Sequence, residues 1–340
     1  MSAYPVARVA NDIIRLDAME SPFDYPQEMR KELGEILANA PIRLYPHIDD
    51  DDLIPLIRKT FNVPEQAEII TGNGSDELIQ LLTMLVAKPD AKVMSVAPTF
   101  VIYQTNAKLY GMEYIGINSN SDLTLNVDDF LQAIEQHQPD LIFLAYPNNP
   151  TGVRYTREDV EKIIAAAPGL IVIDEAYGAF SSDSFLNNAG QPENLLILRT
   201  FSKIGFAGLR LGYISGSLKV ITELKKITPP YNMNQLTMAA AKYALHNYDW
   251  IERNIKTLKM QREIMFAELE GAGFTVFPSE ANFITLRVPD AQKVFDELLK
   301  NGFLIKKLHG SHPFLEQCLR ITVGLPEHNQ QVLNILKKFI

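Results

Sequence analysis

The sequence holds one cysteine, Cys318, in 340 residues. A lone thiol forms no internal disulfide, which excludes a disulfide-stapled secreted scaffold and points to a reducing, cytoplasmic setting. Long hydrophobic runs are missing as well. No stretch reaches the ~18 uninterrupted apolar residues of a membrane-spanning helix. Arg8, Asp12, Arg15 and Asp17 interrupt the segment where a signal peptide carries its apolar core. An excess of positive charge is also missing: 32 Lys and Arg face 41 Asp and Glu, a net charge of −9. That is the wrong sign for a protein whose main partner is a nucleic-acid backbone. Neither an internal repeat nor a low-complexity tract is present. With 46% hydrophobic and 21% charged residues, the composition is that of an ordinary globular enzyme-sized chain, long enough for about two domains.

What is present is an alternation. Short apolar runs at 92–97, 141–146, 170–173 and 194–199 read as buried strands. Amphipathic stretches at 75–86, 128–136 and 157–166 read as the helices between them. Such alternation predicts an α/β fold with a mostly parallel central sheet and helices on both faces. Beyond residue 217 the texture changes to long helical stretches, 217–227 and 234–269, followed by short strands at 275–277, 284–288 and 318–323. That predicts a second, smaller α+β domain. Pro5, Pro22, Pro26 and Pro41 mark the beginning of the chain as an arm. The expected division is an arm over 1–40 joining the small domain, a large domain over 41–230 and the small domain over 231–340. The acidic run Asp49 to Asp52 reads as the start of a helix.

In open parallel sheets, ligands bind beyond the carboxyl ends of the strands. The predicted ends carry Pro98-Thr99-Phe100, then Pro147-Asn148-Asn149-Pro150-Thr151-Gly152, then Asp174-Glu175-Ala176-Tyr177, then Thr200-Phe201-Ser202-Lys203 with Arg210 seven residues on. Thr71-Gly72-Asn73-Gly74-Ser75-Asp76 leads into a helix. Each piece alone has a plain structural reading as a turn, a cap, a surface lysine or a core ring. Gathered on one edge, they supply an amide, a carboxylate, a phenol, an amine, a guanidinium, an aromatic plane and a helix N-terminus. A Walker loop is excluded, since no Gly-Lys-Ser/Thr follows Gly74. A nicotinamide fingerprint is excluded by the absence of its third glycine.

This set, Asn149-Pro-Thr-Gly, Asp174-x-x-Tyr177, Ser202-Lys203 and Arg210, resembles the fold-type I pyridoxal-phosphate enzymes, and within them the class II aminotransferases. More narrowly, it is similar to the branch of that family acting on histidinol phosphate. The narrower match rests on residues 16–22, Tyr45-Pro46, 72–77, 147–152, 174–177, 199–212 and 318–324. The resemblance implies pyridoxal 5'-phosphate as cofactor and Lys203 as its covalent attachment point. Asp174 would face the pyridine nitrogen, with Tyr177 and Asn149 on the ring hydroxyl oxygen and Phe100 stacked on the ring. Ser75, Asp76, Thr200, Ser202 and Arg210 would hold the phosphate. The resemblance also implies a homodimer in which Tyr45 reaches the neighbouring active site. Arg320 would grip the substrate anion, with Asn282, Lys306, Tyr4 and Glu20 nearby. The implied reaction moves an amino group between L-histidinol phosphate and 2-oxoglutarate in histidine biosynthesis. Rival readings on the same fold are an aromatic amino acid aminotransferase and a threonine-phosphate-type decarboxylase. Departures from the family pattern are Met19-Glu20-Ser21-Pro22 for its Asn-Glu-Asn-Pro, and Lys306 where relatives carry arginine, a point charge in place of a fork.

Overall fold

The computed structural model describes residues 12–46 and 52–340. The arm contributes β1 (Ile14–Arg15). Seven strands then build the central sheet: β2 (Glu68–Asn73), β3 (Lys92–Ala97), β4 (Glu113–Asn118), β5 (Leu141–Ala145), β6 (Leu170–Asp174), β7 (Leu195–Thr200) and β8 (Leu211–Gly216). Their order is β2-β8-β7-β6-β5-β3-β4. Strands β3 to β7 are parallel, and β8 alone runs antiparallel to both its neighbours, β2 and β7. The central strands read LIFLA, LIVID and LLILRT, aliphatic on both faces, because helices cover both faces. The covering helices begin with side-chain caps: Asn126, Thr156 and Ser217 each accept the amide three residues on, satisfying one orphan donor of the first turn.

A second sheet follows, in the order β12-β13-β10-β9, from β9 (Thr275–Phe277), β10 (Phe283–Arg287), β12 (Lys306–Lys307) and β13 (Cys318–Thr322). Between β10 and β12 lies β11 (Phe303–Leu304), which pairs in parallel with the arm strand β1. The helix Ala291–Lys300 buries Ala291, Val294 and Leu298 at helical spacing and is capped by Asp290. The stretch 234–269, read from sequence as one helix, is two: Gln235–His246 and Tyr248–Gly271. Asn247 lies between them, and its side-chain amide folds back onto the Tyr243 carbonyl. Such local bonding makes Asn a helix terminator, an effect that the apolar period does not record. The arm helix Gln27–Ala38 buries none of its residues. Asp52 stands at the start of the helix Leu53–Phe61, and Asp49 to Asp51 lie outside the described residues. No helix among the described residues is long and apolar enough to cross a membrane.

The two sheets are tied at one corner. Glu280, ahead of β10, accepts from Arg154 Nε at 2.7 Å and from the Ser181 hydroxyl and Ser182 amide, each at 2.7 Å. Against the upward push of its burial, these donors hold the Glu280 carboxyl down to about 2. The Glu280 amide in turn donates to the Gly152 carbonyl at 2.9 Å. Thr285 of β10 donates to the Pro150 carbonyl at 2.7 Å. The turn 147–152 after β5 is thereby seated on the second sheet.

A buried ion pair ties β6 to β7 just behind their carboxyl ends. Arg199 donates from Nε and Nη2 to Glu175 Oε2 at 3.0 and 2.7 Å, and the Glu175 side chain is fully buried. Arg199→Met strands that carboxylate without its cation. The expected loss is about 3–5 kcal/mol of unfolding free energy in urea titration. A loss below about 1 kcal/mol would show that the pair is not holding the two strand ends.

Candidate functional site

Because β2, β3, β5, β6 and β7 all run the same way, their carboxyl ends share one edge of the sheet. A cavity of about 620 Å³ opens there. Ser75, Asp76, Phe100, Asn149, Asp174, Tyr177, Thr200, Ser202, Lys203 and Arg210 all line it, and Glu20 lines it from the arm.

One end of the cavity is an anion cup. The helix Gly74–Val86 points its N-terminus into it, with Ser75 and Asp76 in the first turn. Arg210, in a left-handed conformation at φ 49°, closes the cup from the turn before β8. Its Nη2 pairs with Asp76 Oδ2 at 3.0 Å, and its Nη1 donates to Ser202 Oγ at 3.3 Å. Two glycines make this approach possible. A Cβ on Gly74 would stand 2.5 Å from Arg210 Nη2, and one on Gly212 would stand 2.8 Å from the Ser75 amide nitrogen. The Thr200 hydroxyl donates to Ser202 Oγ at 3.0 Å and completes the wall.

At the middle lies Asp174, the last residue of β6, 4% exposed. Burial pushes its carboxyl up to about 6, against two donors that favour the ionised form. One is the Ala176 amide on Oδ1 at 2.9 Å; the other is the Tyr103 hydroxyl on Oδ2 at 2.6 Å. Sequence reasoning missed Tyr103. The sequence places it only near the site, since Phe100 immediately precedes the helix Val101–Leu109 and Tyr103 follows on the same turn; its bond to Asp174 joins segments 71 positions apart. The Tyr103 ring stacks on Phe143 with centroids 4.5 Å apart, which fixes the hydroxyl's direction. Phe100 meets Tyr103 edge-on at 5.7 Å.

Lys203 faces this carboxylate region from the turn after β7. Burial, and next the charge of Arg320, push its amine down to about 8. Its Nζ donates to the Ala18 carbonyl at 3.2 Å and stands 5.8 Å from the Tyr177 ring centre. Asn149 bridges to the second sheet: its Oδ1 accepts from Arg320 Nη1 at 2.5 Å. That leaves the amide nitrogen as the donor of Asn149, itself a lining residue of the cavity. Arg320 also donates to the Asp17 carbonyl at 2.8 Å and is 5% exposed.

Arg320 therefore stands behind Asn149 and is not itself a lining residue of the cavity, and the remaining described candidates also sit off its wall. Lys306 lies directly opposite Arg320 in the β12–β13 pair, off the cavity wall. Asn282 is buried behind the wall and donates to the Met19 carbonyl at 3.0 Å. Tyr45 is exposed, stacked on Tyr231 with centroids 4.5 Å apart, and does not line its own chain's cavity. Tyr4 lies outside the described residues.

A seven-stranded α/β sheet with a lysine, a buried carboxylate and an anion cup at one edge, carrying a smaller sheet beside it, is the fold of the fold-type I pyridoxal-phosphate transferases. Residues 11–336 match the family model for aminotransferase class I and II, and the chain belongs to that family. It is an aminotransferase. It is 54% identical over 342 aligned positions to the histidinol-phosphate aminotransferase of Neisseria meningitidis serogroup C, spanning 99% of this chain and 94% of the relative. Among solved structures, the histidinol-phosphate aminotransferase of Clostridium acetobutylicum superposes with a TM-score of 0.86 at 24% identity, over 96% of this chain and 98% of that one. The Sinorhizobium meliloti enzyme, solved in complex with pyridoxal-5'-phosphate, gives 0.84 at 22%, over 96% and 90%.

The raised carboxyl of Asp174 has a consequence for stability. Its folded-state value, about 6, lies above the ordinary 3.8. The folded protein therefore binds that proton more tightly than the unfolded chain. The cost of burying the charge is absent below about pH 4 and grows as pH rises through about 6. Asp174→Asn is expected to stabilise the cofactor-free protein by ~3 kcal/mol at pH 8 and not below about pH 4. Urea unfolding across that range checks the sign, and a gain independent of pH would contradict it.

Proposed function

We propose that this chain is a histidinol-phosphate aminotransferase that carries pyridoxal 5'-phosphate in the sheet-edge cavity. It would transfer an amino group between L-histidinol phosphate and 2-oxoglutarate, giving imidazole-acetol phosphate and L-glutamate, a step of histidine biosynthesis. The observation that carries the reading is one cavity holding a half-buried amine with its value lowered to about 8, a buried carboxylate and an arginine-closed anion cup. The choice of substrate leans on relatives of that name at 54% identity over nearly the whole chain.

The donor set fits the cofactor. The cup that a Cβ at Gly74 would fill suits a phosphate, with the helix-end amides of Ser75 and Asp76, the Thr200 and Ser202 hydroxyls and the Arg210 fork as donors. Bound there, pyridoxal phosphate supplies an aldehyde for covalent attachment and a ring that takes up an electron pair from the substrate carbon. Asp174, kept ionised by Tyr103 and Ala176, would hold the proton on the ring nitrogen. Phe100 would cover the ring face, and Tyr177 and the Asn149 amide would donate to the ring oxygen. Lys203 would hold the cofactor through its neutral amine, and its lowered value keeps a usable fraction deprotonated near neutral pH. Lys203 Nζ would take the proton from the amine-bearing substrate carbon. Arg320 would bind the phosphate of one substrate and the carboxylate of the other. Glu20 would stand on the substrate side, with Lys306 and Tyr4 adding to the anion's surroundings.

In this reading residues 41–230 form the cofactor-bearing domain and 231–340 the smaller one. The chain works as a homodimer. Support comes from the exposed Ile42, Leu44, Tyr45, Tyr231 and Leu236, an apolar group that a second copy would cover while Tyr45 enters its neighbour's site. Sedimentation of a monomer with full cofactor affinity would remove that part of the reading.

The test is a spectral titration of the cofactor-loaded protein with L-histidinol phosphate and, in parallel, L-phenylalanine. Half-saturation by histidinol phosphate is expected at a concentration at least ~100-fold lower, because a site built around an anion discriminates strongly against an analogue lacking it. Preference for phenylalanine would move the substrate class to aromatic amino acids. Release of carbon dioxide from a phosphorylated amino acid would move the reaction to decarboxylation. Lys203→Ala is expected to lose covalent cofactor attachment and ~10³-fold or more in turnover. Attachment to the native protein should speed up as pH rises through about 8.

A further inference from the structure

The arm crosses the cavity as a strap over residues 16–21. Its start is laced to the smaller sheets: the Leu16 amide donates to the Leu304 carbonyl at 2.7 Å, and the Thr322 amide donates to the Leu16 carbonyl at 2.9 Å. Three consecutive strap carbonyls then accept from three different side chains. Arg320 Nη2 takes Asp17 at 2.8 Å, Lys203 Nζ takes Ala18 at 3.2 Å, and Asn282 Nδ2 takes Met19 at 3.0 Å.

Met19 is the unusual residue. Its φ is 56°, left-handed without being glycine, and its side chain is buried. A methionine stays in that region only where its surroundings over-determine it. Here both backbone groups are held: the carbonyl by Asn282, and the amide by Thr322 Oγ1 at 3.1 Å. Asn282 and Thr322 are each 1% exposed, and they neighbour one another because Phe283 pairs with Thr322 across β10 and β13. Neither lines the cavity, whereas Ala18, Met19 and Glu20 do.

The two kinds of hold differ in what substrate does to them. Arg320 and Lys203 are the groups a substrate engages in the proposed function, so their bonds to Asp17 and Ala18 are exchanged in turnover. The bonds from Asn282 and Thr322 are not. We propose that Asn282 and Thr322 are positioning residues for the amino substrate, acting through the left-handed Met19 backbone to keep Ala18–Glu20 as the cavity wall. They set substrate affinity and leave cofactor affinity alone. The inference rests on that reading of the cavity but does not depend on which amino donor is used.

The experiment uses full-length Asn282→Ala and Thr322→Val, each loaded with pyridoxal phosphate and assayed with the amino donor the wild type prefers. KM is expected to rise about tenfold with kcat within about twofold, the pattern of lost binding and not of lost chemistry. The Kd of the cofactor-free protein for pyridoxal phosphate should stay at the wild-type value. Amide exchange at residues 18–21 should accelerate in the holoenzyme. Met19→Gly supplies the second arm, because glycine takes the left-handed region without strain. In that background Asn282→Ala should cost clearly less than in the wild type. An unchanged KM, a fall in kcat alone, or an equal loss of cofactor affinity overturns the proposal. An equal KM cost in the Met19→Gly background also overturns it, because Asn282 would then be acting on substrate directly. Wild-type indifference to L-histidinol phosphate beside use of another donor would count against the substrate assignment only.

Discussion

A carboxylate buried at the end of a parallel strand needs donors, and the placing of those donors organises the site. Asp174 has no cation against it among the described contacts; it has a phenol and a backbone amide. The phenol belongs to the helix that follows Phe100, so one segment puts an aromatic ring on the cavity wall and a hydrogen bond on the carboxylate. The amide is that of Ala176, two residues along the chain, where β6 turns into the loop bearing Tyr177. The neighbouring Glu175 takes the opposite course and is buried on Arg199 of β7. Two adjacent carboxylates thus serve two ends: one is neutralised to join strands, and the other, with no cation against it among the described contacts, is the one that the proposed function gives to the cofactor ring.

The amine obeys the same electrostatic logic with the sign reversed. Lys203 is half-buried close to two guanidiniums, Arg320 and Arg210, and both lower its proton affinity, while Asp76 and Glu20 partly offset them. The arginines belong to different sheets. Arg210 stands where β8 begins beside the end of β2, and Arg320 lies in the middle of β13. Any movement of the small sheet relative to the large one therefore changes the charge that Lys203 feels. The Glu280 corner and the Thr285–Pro150 bond limit that movement on the side of Asn149.

Much of this was legible in the sequence because the aliphatic runs are long enough to identify strands, and a parallel sheet puts the residues after them on one edge. Phe100, Asn149, Asp174, Tyr177, Lys203 and Arg210 line one cavity for that topological reason. What was hidden depends on contacts between distant segments. Tyr103 reads as one more apolar-face aromatic until Asp174 is placed 2.6 Å from its hydroxyl. Asn282 sits among residues that resemble a substrate wall, yet its amide is spent on a carbonyl 263 positions earlier in the chain. The break at Asn247 was invisible for a local reason: two helices whose apolar positions stay in phase look like one.

The strap shows how one departure from the family pattern, Met19, is accommodated. Position 19, an asparagine in the pattern that the sequence resembles, is the residue in the left-handed region. Asparagine adopts that region more readily than most side chains, because its short amide bonds the local backbone. Methionine has no such group, so the conformation has to be held from outside. Met19 sits between a donor amide just ahead of β10 and an acceptor hydroxyl at the end of β13. A substitution that weakens a turn internally is tolerable where a packed sheet edge supplies the missing hydrogen bonds, and in return the buried methionine side chain joins the main hydrophobic core. The local strain and the tertiary hold are two halves of one arrangement, and altering either half alone shifts the wall that the substrate meets.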